Sequence, residues 1–413
     1  MRPVPLVLLA LLCAPATAGA AFTAPVSIPL ADQDVPVGVA FAGAGSGAVV
    51  TQRLGGPGGS MQSVITVPAA TRTNFADSVV LDSVRRQDGG VDLLVRHTAD
   101  LTRRGDLILR RVLTSGRVLD LWSVRTGATR GALARGAART VVTWPEGSTL
   151  RVMTRPDRGV PSRPRVARLG LKGYIDVDLA IDHGGRPVVA VSQPRGGAVL
   201  ASLTPHGATV RERQVAAGAS GLVQIAVTAA GRVGVLAEDT GIEGDGGECV
   251  TDRQGRHIRV VVREASKRRF GAVQTIESPR FGCGSSGALL RALPGDALTV
   301  IYQGGSYDFP PLLARAATAP RAKPFGAPVT LATDARADTA VVTASGQLVT
   351  ALLRKTVEPE LFSGALSVLR SSGPEEPIAP GPVSSPLLGL DKAGAAVLAW
   401  RSGATLQIAA DQP

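Results

Sequence analysis

The segment DTGIEGDGGECVTD, residues 239–252, gathers Asp239, Glu243, Asp245, Glu248 and Asp252 among glycines, in a chain whose formal charge is +12. Hard carboxylate oxygens on glycine-spaced backbone form the donor set that calcium takes. The spacing is not that of an EF-hand loop, so a solvated acidic loop is the first reading and calcium the second. Two further segments display acidic and aromatic side chains, although only 3% of the chain is aromatic. QGGSYDFPP carries Tyr307, Asp308 and Phe309, and VEPELF carries Glu358, Glu360 and Phe362. Recognition concentrates on such loops over rigid scaffolds. The competing reading is that long loops need a few apolar residues to pack themselves.

The rest of the chain offers little chemistry. His97, His183, His206 and His257 are scattered, and no HExxH pair exists for a zinc hydrolase. No G-x-S-x-G nucleophile elbow occurs. The glycines between Gly43 and Gly47 lie in a β-hairpin with no helix after them, so no helix N-terminus is available for phosphate. Carboxylate pairs for glycoside hydrolysis depend on a separation that sequence does not supply. No catalytic residue, metal site or cofactor other than calcium is assigned.

The elements that must position the acidic and aromatic segments are short strands. Apolar residues make up 44% of the 413, mostly Ala, Val and Leu, and Gly and Pro recur throughout. A hairpin repeats about every 45–50 residues: 177–193, 223–239, 288–304, 340–355 and 386–402, with weaker copies at 38–52, 84–97 and 132–145. Each has an apolar strand, a glycine-bearing turn and a second, more continuously apolar strand, as a strand covered on both faces requires. A third strand follows, as at 198–203, 258–263 and 312–317, and then a fourth opening on FGAVQTI (Phe270) or FGAPVTL (Phe325). FTAPVSI, from Phe22, matches that fourth strand, while the final unit has only three strands of its own.

This pattern resembles the β-propeller architecture over residues 21–413, without the repeat signature of one functional family. LDKAGAAVLAW, residues 390–400, faintly resembles the Asp-box of sialidase-like propellers, but it lacks the leading Ser and places Trp400 too late. The expectation is an all-β propeller of eight four-stranded blades, with seven as the alternative. The N-terminal strand is expected to complete the last blade and remove the exposed edges. Connections between second and third strands leave a blade at the end opposite its first hairpin. The three acidic and aromatic segments are therefore expected on one face.

Residues 1–20 read as a secretory signal peptide: Arg2, an apolar stretch over 4–12, then Ala16-Thr17-Ala18 or Ala18-Gly19-Ala20 for cleavage. Lipid attachment at Cys13 is the alternative, weakened by Leu12 where a small residue is expected. An oxidising compartment lets Cys249 and Cys283 pair, and propeller topology brings their two loops to the same face. The dispersed, Arg-dominated charge and the lack of interleaved aromatics argue against nucleic acid. Beyond residue 20 no uninterrupted apolar run is long enough to cross a membrane.

The expected function is that of an exported, monomeric, non-enzymatic binding or scaffold module for an extracellular protein, peptide or cell-wall component. An extracellular hydrolase or lyase of propeller fold is the second reading. The starts of the innermost strands read mostly as Ala, Val and Leu, which favours binding.

Overall fold

The structure, a computed structural model, describes residues 21–411 apart from 32, 44, 54–59, 99–103, 170–175, 194–196, 204–208, 215–221, 239–256, 268, 278–286, 305–312 and 356–362. The chain is an all-β propeller. Its described residues hold no α-helix, only a single 3-10 turn at Pro294–Asp296. None has a helix long and apolar enough to cross a membrane.

Six four-stranded antiparallel sheets follow one another, over residues 35–76, 78–126, 132–167, 176–214, 223–277 and 289–333. A seventh sheet has seven strands: Ala335–Val342, Leu348–Lys355, Ser363–Arg370, Glu375–Leu390, Ala396–Ser402, Thr405–Ala410 and, at its edge, Val26–Pro29. The 16-residue strand Glu375–Leu390 serves both halves of this sheet. Its first part pairs with Ser363–Arg370 and its second part with Ala396–Ser402. The N-terminal strand pairs antiparallel with Thr405–Ala410, Val26 facing Ile408 and Pro29 facing Thr405.

Burial follows strand position. The second strands Pro187–Gln193 and Val233–Glu238 are buried at every residue, because both faces meet a neighbouring sheet. On Pro187–Gln193, Val189 and Val191 pack toward the third sheet, and Val188 and Ala190 toward the fifth. The period-2 alternation of a strand thus divides each sheet's apolar side chains between two interfaces. Among the described residues the core falls into eight such clusters, taken in order along the chain. One joins the two halves of the seventh sheet through Leu353, Leu366, Leu388 and Leu398. Another sets Ile28, Val397 and Ile408 against Val39, Phe41 and Ile65 of the first sheet.

The phenylalanines expected to open fourth strands stand just before strands in the structure. Strands Gln274–Glu277, Val329–Thr333 and Val26–Pro29 each start four residues after Phe270, Phe325 and Phe22. Arginine guanidinium groups lie over two of these rings, Arg263 over Phe270 at 5.3 Å and Arg370 over Phe22 at 5.0 Å.

Candidate functional site

The first strands of successive sheets are neighbours and line the central channel, where a propeller has its most enclosed polar ground. Each runs into a tight hairpin, and four of these hairpins are built alike. Asp182, Thr228, Thr343 and Asp391 each use a side-chain oxygen to accept the N–H four residues on, from Arg186, Arg232, Gln347 and Ala395, at 2.9–3.1 Å. A glycine precedes each of those donors. At Gly231, with φ of +91°, a Cβ would also meet His183 of the preceding sheet at 2.7 Å. His183 is an exposed turn residue, as its sequence position implies.

Four residues before the head of the turn stands a second recurring device. A first strand has no further strand on its channel side, so its outward N–H groups need other acceptors. The side chain at this position supplies one to the neighbouring channel-lining strand. Asp178 Oδ2 accepts from Ile225 at 2.6 Å, Gln224 Oε1 from Leu290 at 2.9 Å, and Thr339 Oγ1 from Leu388 at 3.4 Å. Asp82 stands four residues before the turn at Arg86 and accepts from Leu133 at 2.6 Å. Arg291 works in the opposite polarity, its Nε donating to the Ala340 carbonyl at 2.7 Å. Asp176 adds a further bond, accepting from Val223 at 3.1 Å.

The two central carboxylates titrate unusually. Enclosure by the strands pushes Asp82 up to about 7, with the charge of Asp178 adding to it, against the bonds donated by Leu133 and Ser83. Asp178 is pushed up to about 6, again chiefly by enclosure, with Asp176 contributing. Burial also raises Asp176 and lowers Arg291. Asp82 and Asp178 keep partial solvent contact through the channel, so water screens part of the effect.

A raised carboxyl holds its proton in the folded state after the unfolded chain has released it. Stability therefore falls as pH rises from about 4 to about 7. We expect Asp82→Asn with Asp178→Asn to flatten this slope, by on the order of 1–2 kcal/mol per site after screening. Melting curves at pH 4, 5.5 and 7.5 test it. A double variant with the same pH profile as the native chain would refute the assignment.

These groups correct one sequence-based expectation. The starts of the first strands read mostly as Ala, Val and Leu; Asp176 stands at such a start, and Asp82, Asp178, Gln224, Arg291 and Thr339 add polar side chains further along these strands. The residues singled out from sequence, Glu243, Asp245, Glu248, Tyr307, Asp308, Phe309, Glu358 and Glu360, lie outside the described residues, as do Cys13, Cys249, Cys283 and residues 1–20. Among the described residues no group of His, Cys, Asp or Glu is arranged to hold a metal ion. Asp178, Gln224 and Thr339 each stand four residues before a repeated Asp/Thr-x-x-Gly turn, which marks the position but not the neighbouring N–H it reaches.

No family model matches the chain, and no curated protein matches it. Among solved structures, the Dos1 propeller superposes with a TM-score of 0.52 at 9% identity, covering 91% of this chain and 95% of that one. Virginiamycin B lyase from Staphylococcus aureus gives 0.45 at 10% identity, over 81% and 98% of the two chains. TolB from Acinetobacter baumannii gives 0.38 at 10% identity, over 70% and 64%. At such identities the likeness to the Dos1 propeller speaks to the fold alone.

Proposed function

We propose that the chain is an exported, non-enzymatic propeller of eight blades, closed by its N-terminal strand, that binds or scaffolds an extracellular protein, peptide or cell-wall component. The observation that carries this reading is the use to which the channel polar groups are put. Asp82, Asp178, Gln224 and Thr339 each hold the next first strand in place, so they serve as struts of the scaffold. Recognition then falls to the connections between second and third strands. The count of eight is supported by dividing the seven-stranded sheet at Glu375–Leu390 and by the cyclic order of the apolar clusters.

The hydrolase or lyase reading has one observation in its favour, the raised Asp82 and Asp178 carboxyls, since general acids are tuned in this way. Against it, both oxygens of each already accept backbone N–H groups. The test uses immobilised protein and purified cell-wall fragments and culture-medium proteins. Tyr307→Ala with Phe309→Ala and Glu360→Ala should weaken capture about tenfold or more, as loss of aromatic anchors does. Capture that survives these changes, or that is abolished only by substitutions on the opposite face, overturns the reading.

A further inference from the structure

Between the fifth and sixth sheets lies a cleft of about 430 Å³, walled by the turns that join their third and fourth strands. The two turns are built alike. In one, Lys267 N–H donates to the Glu264 carbonyl and Gly271 N–H to that of Val262; in the other, Lys323 N–H donates to Pro320 and Gly326 N–H to Thr318. Lys267 and Lys323 are thus equivalent residues of consecutive sheets, and both line the cleft with Arg269. All three are exposed, and among the described residues none of these side chains has a partner.

The floor is fixed by Arg232, whose side chain is 1% exposed. Its Nε donates to Glu264 at 3.0 Å, Nη1 to the carbonyls of Asp296, Ala319 and Pro320, and Nη2 to that of Lys323 at 2.9 Å. One guanidinium therefore pins both turns and neutralises Glu264, the single acidic residue lining the cleft among the described residues. Gln274 adds a second tie, accepting from Phe325 N–H at 3.1 Å. The walls are held by bonds that a ligand would not need to break, and three uncompensated cations remain at the rim.

We propose that this cleft binds a phosphomonoester, its dianion held by Lys267, Arg269 and Lys323 and its carbon skeleton against Val262, Ala272 and Pro324. An arginine fork and two mobile point charges suit a tetrahedral, multiply charged oxyanion. The volume leaves room for a small organic group, being within the range of ligand pockets. The cleft opens on the face opposite the second-to-third strand connections, so it stands independently of the capture proposed there.

Titration calorimetry of the full chain with glycerol 3-phosphate at low salt is the test, with glycerol, citrate and sulfate as controls. Binding of glycerol 3-phosphate alone is expected, weakening with salt and strengthening between pH 5 and 7 as a phosphate of second pKa about 6 loses its last proton. Lys267→Ala, Arg269→Ala and Lys323→Ala should each cost about tenfold in affinity and leave the ligand-free melting temperature unchanged, because these side chains are exposed and unpaired. Equal binding of citrate or sulfate overturns the ligand class. A lack of pH dependence overturns recognition of the dianion. Undiminished affinity when Lys267→Ala, Arg269→Ala and Lys323→Ala are combined, or no binding of glycerol 3-phosphate, overturns the site.

Discussion

Deleting residues 22–30 should lower the melting temperature by about 5–10 °C and make the protein aggregate on heating. The strand Val26–Pro29 brings Ile28, 2% exposed, and Leu30 into the cluster shared with Val39, Phe41, Val397 and Ile408. Burial of these side chains, with part of Val26, is worth about 5–7 kcal/mol. For a chain of this size that corresponds to the stated drop, since unfolding entropy grows with length. Phe22 adds its stack under Arg370 and a bond from its N–H to Glu376 at 3.1 Å. The deletion also bares the edge of Thr405–Ala410, a template for pairing with another chain. Calorimetry and light scattering measure both effects. A synthetic peptide of residues 21–31 added to the truncated chain should restore part of the loss. An unchanged melting temperature would exclude a structural role for this strand.

Asp92→Ala should cost about 3–5 kcal/mol, the range for breaking a buried ion pair from one side. The Asp92 side chain has no solvent exposure and accepts from Arg111 Nε at 2.7 Å, from Thr140 Oγ1 at 2.7 Å and from Arg86 Nη1 at 3.5 Å. Arg86 and Arg135 also share Asp157, whose carboxyl the Arg135 guanidinium holds down at about 2. The network joins the second sheet to the third. Without Asp92, three guanidinium groups are left with Asp157 and the half-exposed Asp88. Removing charge from both sides, as in Asp92→Leu with Arg111→Met, should recover much of the loss, because two apolar groups leave no buried charge uncompensated. Urea unfolding of Asp92→Leu, of Arg111→Met and of the double variant decides it. Additive losses would mean the pair is not coupled.

The repeat was legible because nearly every first hairpin obeys the same local chemistry, a glycine at positive φ between two apolar strands; the turn at Gly136 in the third sheet is the exception. The N-terminal match was legible too, since Phe22, Phe270 and Phe325 stand at one offset from their strands. The polar struts were not. Asp82 and Asp178 look like solvent-facing strand residues, and their partners Leu133 and Ile225 lie 51 and 47 residues away. Only the stacking of sheets brings a carboxylate to the neighbouring N–H. Arg232 was hidden for the same reason, because four of its five acceptors are backbone carbonyls, which no sequence marks.

The pairing of Val26–Pro29 with Thr405–Ala410 has a mechanical consequence. Phe22 faces Asp411, and Thr23 N–H reaches the Ala410 carbonyl at 2.9 Å, while Leu30 N–H bonds Ala404 at the far end of the ladder. Both chain ends therefore leave the ladder from the same end. A force drawing residues 22 and 411 apart does not shear the strands, which would load every bond at once. It peels them, opening the Thr23–Ala410 bond first and then the ladder one rung at a time. A seam that contributes strongly to thermal stability is, along this one direction, the place where a small pull opens the molecule.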